Sequence, residues 1–350
     1  MLASMGQQYL LGVAMTSSHA PSLARIDASA GADIPVIDLA GFLAGEPGAQ
    51  DRVTAELKHA LEEVGFYFVV GHGLDPALIE GAYAAARQFY AMPLERKMAL
   101  KMNDIRPGYQ PFKSSKTRHS ALAANTGANL VEAFFVKNDL PADHPDVVAQ
   151  KPLRGQNQWP EDLPGFKQAV MAYMTAMEGL CRSVLPLYAG ALGLPRDWFD
   201  AAFAEPVSTF RLSRYPAQDK VADNEFGLAP HTDSSFMTFL PENKVSGLAI
   251  QLRNGRWVDA PRIPGSLLVN SGDLLRRWTN DRFLSTPHRV VSPPGVERYA
   301  IPFFIDAGYE YPIGCIPTCV APGEAPLYPP ITYREYMTWF RKVNYAAPQA

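Results

Sequence analysis

The chain has 350 residues, 47% of them hydrophobic and 19% charged, which is the balance of a globular protein with ample length for a large core. Its 32 basic and 35 acidic side chains leave a formal net charge of −3, so there is no electrostatic case for a nucleic acid or an anionic membrane as partner. No apolar run approaches the roughly 20 residues that span a bilayer.

Residues 1–32 are polar and rich in small side chains, apart from an apolar patch at residues 9–15. The first basic residue is Arg25, so the positive start of a secretory signal is missing. The segment reads as a disordered leader, with Met15 a second candidate start. A short strand is expected at 34–39. Residues 51–64 place Val53, Leu57, Leu61 and Val64 at helical spacing, with Gly65 available as a cap. An apolar strand at 66–70 ends in Gly71-His72-Gly73, and a second amphipathic helix at 77–90 is stopped by Pro93. A turn follows at Pro107-Gly108. Residues 165–192 carry a long helical stripe of Phe166, Val170, Met174, Met177, Cys181, Val184 and Tyr188. Pro186 is expected to kink or end that helix, because proline removes a backbone donor and clashes with the preceding turn.

After Val207 the pattern changes to short β-rich runs separated by turns. Asn254-Gly255 between residues 248–252 and 257–258 is a hairpin signal, since both positions tolerate positive φ. Further strands are expected at 266–270, 287–292 and 298–305, and a helix at 332–343 should bury Tyr336, Trp339 and Phe340. Many short strands with regular turns point to a sandwich or barrel. The chain divides into a leader (1–32), an amino-terminal helical and strand region (33–165), a long backbone helix region (166–206), a β-rich core (207–310) and a carboxy-terminal extension (311–350). Cys181, Cys315 and Cys319 are an odd, sparse set, which argues against a disulfide framework and fits free thiols in a reducing cytoplasm. Cys315 and Cys319 could bind a metal, but two thiols without a nearby partner pair are a weak signal.

Three features of the β-rich half carry chemistry. In His231-Thr232-Asp233, positions i and i+2 of a strand would face the same way, so one imidazole and one carboxylate can reach one point. His288, in Ser285-Thr286-Pro287-His288-Arg289-Val290, supplies a second imidazole. Two histidines and a carboxylate on one face of a metal are the triad of oxygen-activating iron(II) enzymes, and they leave three positions open for a bidentate co-substrate and dioxygen. Arg298, ten residues further on, can reach the same cavity from a neighbouring strand, and a guanidinium is the natural bidentate partner of a carboxylate. Any one of these motifs alone is commonplace on a protein surface; the conjunction in one region is specific. A zinc hydrolase would need a glutamate base beside the metal, and no His-Glu motif is present.

With these residues the chain resembles the isopenicillin N synthase-like branch of the 2-oxoglutarate and iron(II) oxygenases, from about Ile34 to Ile305. The motifs that carry the resemblance are Val64-Gly65-Phe66-Tyr67-Phe68, Gly71-His72-Gly73, Arg211-Leu212-Ser213-Arg214-Tyr215-Pro216, Leu228-Ala229-Pro230-His231-Thr232-Asp233, Asn270-Ser271-Gly272-Asp273-Leu274-Leu275, Trp278-Thr279-Asn280 and Arg298-Tyr299-Ala300-Ile301-Pro302-Phe303-Phe304. The resemblance implies a mainly β fold with flanking helices, built on a double-stranded β-helix, or distorted jelly-roll, core. It assigns iron(II) to His231, Asp233 and His288 and the carboxylate of 2-oxoglutarate to Arg298, with a hydrogen bond from Tyr215. Dioxygen is the oxidant, ascorbate a candidate reductant, and succinate and carbon dioxide the co-products of hydroxylation, desaturation, demethylation or ring closure of a small organic molecule. The protein is expected to act in the cytoplasm as a monomer or weak homodimer.

Two positions depart from the family pattern. Ala300 stands where serine is usual and Ser213 where asparagine is usual. Losing one neutral hydrogen bond costs about 0.5–1.5 kcal/mol, which weakens 2-oxoglutarate binding without abolishing it. The departures keep open an oxidase of the same fold that works without 2-oxoglutarate, and an inactive binding protein is a third reading. By position in the family fold, Phe134, Phe135, Arg211, Phe304 and Asp306 would face the substrate. The basic loop from Lys113 to His119 is a candidate lid for a carboxylated substrate. His72 reads as a structural histidine at a strand end, and His19, His59, His119 and His144 as surface residues.

Overall fold

The computed structural model describes residues 33–117, 121–123, 126–291 and 293–345. The expected leader at 1–32, Arg118 and His119 of the basic loop, and Ser292 at the end of one expected strand lie outside the described residues.

The amino-terminal half contains β1 (Val36–Asp38), α1 (Ala40–Leu43), α2 (Ala49–Glu63), β2 (Phe66–Val70), α3 (Pro76–Ala91), α4 (Leu94–Ala99), β3 (Tyr109–Gln110), β4 (Glu132–Lys137), α5 (Pro145–Val148) and α6 (Phe166–Ala191). Gly65 adopts φ +73 and its N–H reaches back to Ala60 O at 2.8 Å, so it closes α2 in the left-handed conformation that glycine adopts freely. At the start of α3, Asp75 Oδ1 accepts from the Ala77 N–H at 2.8 Å, with Pro76 at the first helical position, where its missing N–H costs nothing.

Helix α6 runs unbroken through Pro186, against expectation. An internal proline costs about 3 kcal/mol, but the side chains on either side of it, Val184, Leu185, Leu187 and Tyr188, are all buried. Each such burial contributes about 1.5–3 kcal/mol, so together they outweigh the proline.

The second half supplies β5 (Val207–Tyr215), β6 (Leu228–His231), β7 (Met237–Pro241), β8 (Leu248–Gln251), β9 (Trp257–Asp259), β10 (Leu267–Ser271), α7 (Asp273–Trp278), β11 (His288–Val290), β12 (Arg298–Ala300), β13 (Phe303–Asp306), β14 (Pro312–Ile313), β15 (Ile331–Thr332) and α8 (Tyr333–Tyr345). The expected hairpin is present as β8–β9, with Gln251 opposite Trp257 and Gly255 at φ +82.

A nine-stranded sheet has the order β1-β2-β10-β7-β13-β5-β4-β3, with β12 also on β5, and a four-stranded sheet has the order β6-β11-β8-β9. Alternation along the large sheet shows why its strands read as continuous apolar runs. In β2, Tyr67 and Val69 join the core beneath α2, α3 and α6, whereas Phe66 and Phe68 join a second core with Leu248, Ile250, Val258 and Val290 of the small sheet. Both faces are therefore buried, one by helices and one by the facing sheet. This is a jelly-roll with helices packed on its outer side, as expected from the sequence. Among the described residues no helix is long and apolar enough to cross a membrane.

Candidate active site

The small sheet brings the two histidines together. His231 ends β6 and His288 begins β11, and they are directly paired across the antiparallel ladder, with ring centroids 4.3 Å apart. Asp233 lies beyond the end of β6, so strand alternation does not place it, contrary to the sequence argument. A loop does. The Asp273 N–H at the start of α7 holds Asp233 O at 2.8 Å. Gly272 permits that approach, because a Cβ there would come within 2.8 Å of the same carbonyl and 2.3 Å of Ser235 O.

In the resulting cluster, Asp233 Oδ1 is 3.7 Å from His231 Nε2 and 3.6 Å from His288 Nε2. The three ligand atoms lie within 4.8 Å of one another. Among the described residues this is the one such group of three, so Cys315 and Cys319 do not form a second. Each imidazole is oriented from behind, with His231 Nδ1 at 2.8 Å from Ala229 O and His288 Nδ1 at 3.2 Å from Thr286 O. Donation from Nδ1 leaves Nε2 as the lone-pair nitrogen, the form a metal requires. The second Asp233 oxygen accepts from Asn270 Nδ2 at 2.8 Å and Thr238 Oγ1 at 2.7 Å.

Burial, and then the neighbouring His288, hold the His231 imidazole down to about pKa 3. Burial works to raise the Asp233 carboxyl, but His288, His231 and the bonds from Asn270 and Thr238 together keep it below its ordinary value. A neutral His231 beside an ionised carboxylate suits a divalent cation, and the donor set of two nitrogens and one oxygen suits iron(II). Replacing Asn270 with alanine frees the carboxylate to turn. Iron affinity is then expected to fall about 10–100-fold, as measured by competition with a chromophoric chelator.

Arg298 is 2% exposed, yet its Nη1 has no hydrogen-bond partner. Its Nε donates to Val245 O at 3.3 Å, and its guanidinium lies over the ring of Tyr215, the residue opposite it on β5, at 5.1 Å. Among the described residues no carboxylate lies within ion-pair distance of it. Buried, unpaired guanidinium groups are costly, and a carboxylate ligand removes the cost. The two departures from the family pattern sit face to face: Ala300 pairs with Ser213, whose hydroxyl is fully buried and without a partner. Sequence reasoning counts both positions as losses, whereas one donor persists across the ladder.

A cavity of about 420 Å³ opens on His231 and Asp233. Phe135, Arg211, Phe304 and Asp306 line it, as expected from the sequence, but Phe134 does not. Adjacent residues of β4 face opposite sides, and Phe134 packs in the helix-side core against Phe89 at 4.3 Å and Phe166 at 5.9 Å. Of the basic loop, Ser114, Ser115, Lys116 and Thr117 line the cavity, while Lys113 turns to Glu225. Lys137, Thr209, Tyr333, Met337 and Phe340 also line it and are not foreseen by the sequence argument. For Lys137 a signal exists, two residues after Phe135 on the same strand; Tyr333 comes from a helix 196 residues beyond Lys137, which no local pattern reveals. His72 is structural as expected, with Nε2 on Gly265 O, and His144 accepts the Asp146 N–H to cap α5.

Comparison with known proteins agrees with this geometry. Residues 34–162 match the family profile described as the non-haem dioxygenase in morphine synthesis N-terminal region, and residues 206–307 match the 2OG-Fe(II) oxygenase superfamily. The chain is 32% identical to the 2-oxoglutarate-Fe(II) type oxidoreductase hxnY of Emericella nidulans over 324 residues, covering 90% of this chain and 91% of the relative. Among solved structures, a 2OG-Fe(II) oxygenase family protein from Caulobacter crescentus superposes with a TM-score of 0.76 at 30% identity, covering 88% of this chain and 98% of that one. A full-length Neurospora crassa protein in complex with alpha-KG and thymine superposes with a TM-score of 0.77 at 25% identity, covering 92% and 98%. The chain belongs to the 2-oxoglutarate and iron(II)-dependent oxygenase superfamily. It is an oxidoreductase that uses iron(II), 2-oxoglutarate and dioxygen to oxidise a small molecule.

Proposed function

We propose that His231, Asp233 and His288 hold the iron and that Arg298 receives the far carboxylate of 2-oxoglutarate, so that a small molecule in the 420 Å³ cavity is oxidised beside them. The observation that carries this reading is the unpaired, buried Arg298 in the same β-core as three ligand atoms that converge on one point. When bound, the iron supplies oxidation of the substrate coupled to decarboxylation of 2-oxoglutarate to succinate. The protein's part is positional. Ala229 and Thr286 carbonyls fix the two imidazoles, Asn270 and Thr238 fix the carboxylate, and the rings of Phe135 and Phe304 wall the cavity. Tyr215 lies beneath Arg298 and is proposed to hydrogen-bond the same co-substrate, with Ser213 as a further donor. Phe135, Arg211, Phe304 and Asp306 are the proposed substrate contacts.

Three free thiols support a reducing, cytoplasmic setting, and the small acidic charge excess supports a free small molecule rather than nucleic acid as substrate.

The test is an anaerobic titration of the iron-loaded protein with 2-oxoglutarate, following the metal-to-ligand charge-transfer band. A saturable band is expected; none at all contradicts the reading. In the same assay Ala300→Ser adds a hydroxyl on the Arg298 face of β12 and is expected to tighten 2-oxoglutarate about two- to tenfold. Serine adds one heavy atom, a small steric demand. Unchanged affinity would mean that Ser213 already saturates the carboxylate or that the carboxylate lies elsewhere.

A further inference from the structure

Three neighbouring strands present one face to the cavity. On β4 it carries Phe135 and Lys137, on β5 Thr209 and Arg211, and on β13 Phe304 and Asp306. The register sets their order: Phe135 lies opposite Arg211, Lys137 opposite Thr209, and Thr209 opposite Phe304. Arg211 and Lys137 are therefore diagonal neighbours, a relation that in a sheet spans about 7–8 Å, within reach of one small ligand.

The charge on this wall is unbalanced. Arg211 stacks over Phe135 at 5.5 Å, and its buried Nε has no partner. Lys137 is 7% exposed and bonds only neutral groups, Thr209 Oγ1 at 2.6 Å and the Tyr333 hydroxyl at 3.2 Å. Among the described residues no carboxylate lies within ion-pair distance of either cation. Asp306 faces the same cavity but is only a partial counter-ion, since burial lifts its carboxyl to about 7 against the Phe236 N–H and Lys137, which favour its ionised form. Burial also brings the Lys137 amine down to about 8, with the Asp306 carboxylate only partly offsetting it. Arg341, at the rim, is by contrast already satisfied by Asp104. The flat, apolar part of the lining comes from Phe135 and Phe304, with Met337 and Phe340 of α8 also on the cavity, while Gln110, Ser114, Ser115, Lys116 and Thr117 line it as polar groups.

We propose that the substrate is a small planar carboxylate whose ring lies against Phe135 and Phe304 and whose carboxylate is received by Arg211 and Lys137. This rests on the reading of the iron and 2-oxoglutarate sites given above, and it names the class of molecule that reading left open. Charge-assisted bonds to the half-buried Arg211 and the buried Lys137 discriminate against a neutral isostere, because that isostere leaves the cations unpaired. Thr209 and Tyr333 hold the Lys137 amine in place, so they are positioning residues.

The test uses calorimetry on the iron-loaded protein without oxygen, saturated with 2-oxoglutarate so that Arg298 is occupied. The probes are matched pairs: benzoate and benzamide, phenylacetate and phenylacetamide, naphthalene-2-carboxylate and its carboxamide. The carboxylate of the best-fitting pair is expected to bind at least about tenfold more tightly than its amide. Arg211→Gln and Lys137→Met are each expected to shrink that ratio, with circular dichroism verifying that the variants fold. Equal affinities within every pair, no binding of any carboxylate at millimolar concentration, or a ratio that persists in both folded variants would overturn the proposal. Titrating the wild-type protein with 2-oxoglutarate separates the two levels. If 2-oxoglutarate binds and the carboxylate preference is absent, the substrate assignment alone fails; if 2-oxoglutarate does not bind, the reading beneath it fails as well.

Discussion

His288→Ala is expected to yield a folded protein that no longer retains iron. The side chain is 7% exposed, but its own structural contacts are modest: one bond from Nδ1 to Thr286 O and an edge-on contact with Phe66. Its role in the cluster is larger, as one of three ligand atoms, and two remaining protein ligands do not make a closed site. Removing an outer partner of a ligand already costs about 10–100-fold in affinity, so removing the ligand itself should cost more than about a hundredfold. His231→Ala should behave alike. Asp233→Ala should lose iron and some stability together, because Asn270 and Thr238 lose their shortest acceptor and keep only Ser271 O at 3.5 Å and Ser235 Oγ at 2.9 Å, at a cost of about 0.5–1.5 kcal/mol per lost bond. Iron content by elemental analysis, turnover and thermal unfolding check all three. Full activity in any of them removes that residue from the assignment.

Arg298→Gln is the second large effect. Glutamine keeps a donor and much of the length but loses the charge and the bidentate fork. A charge-assisted hydrogen bond contributes about 1.5–3 kcal/mol, and each 1.4 kcal/mol is about tenfold, so the apparent KM for 2-oxoglutarate should rise at least tenfold. Affinity for the primary substrate should move far less, because Arg298 does not line the substrate cavity. The fold should tolerate the change, since in the free protein Nη1 is already without a partner. Steady-state kinetics with each substrate varied in turn distinguish the cases. An unchanged dependence on 2-oxoglutarate would place its carboxylate elsewhere.

Much of this is legible in the sequence because the chemistry depends on short motifs. His231, Asp233, His288 and Arg298 can be named from residue type and order, and the β-rich pattern after Val207 locates them on a sheet. The reason that strand alternation offers for Asp233 is nonetheless wrong, since the observed loop is held by the backbone of Gly272 and Asp273, far along the chain. Phe134 is misplaced by sequence reasoning because two adjacent aromatics on a strand cannot both face a cavity, and nothing local decides which of them does; the pairing of Phe135 with Arg211 decides it here. Pro186 misleads in the opposite sense, since a local helix-breaking cost is outweighed by burial that only tertiary packing creates. The substrate wall is the least legible part. Lys137, Thr209 and Tyr333 meet through one cross-strand pairing and a carboxy-terminal helix, a juxtaposition with no counterpart in linear spacing.

The most direct test of the central assignment is a crystal grown without oxygen, with iron(II) and 2-oxoglutarate, and measured on both sides of the iron absorption edge. The account predicts one anomalous peak bounded by His231 Nε2, Asp233 Oδ1 and His288 Nε2, with 2-oxoglutarate density running from that peak to the Arg298 guanidinium. An iron peak away from those three atoms, or 2-oxoglutarate bound without contact to Arg298, would contradict it.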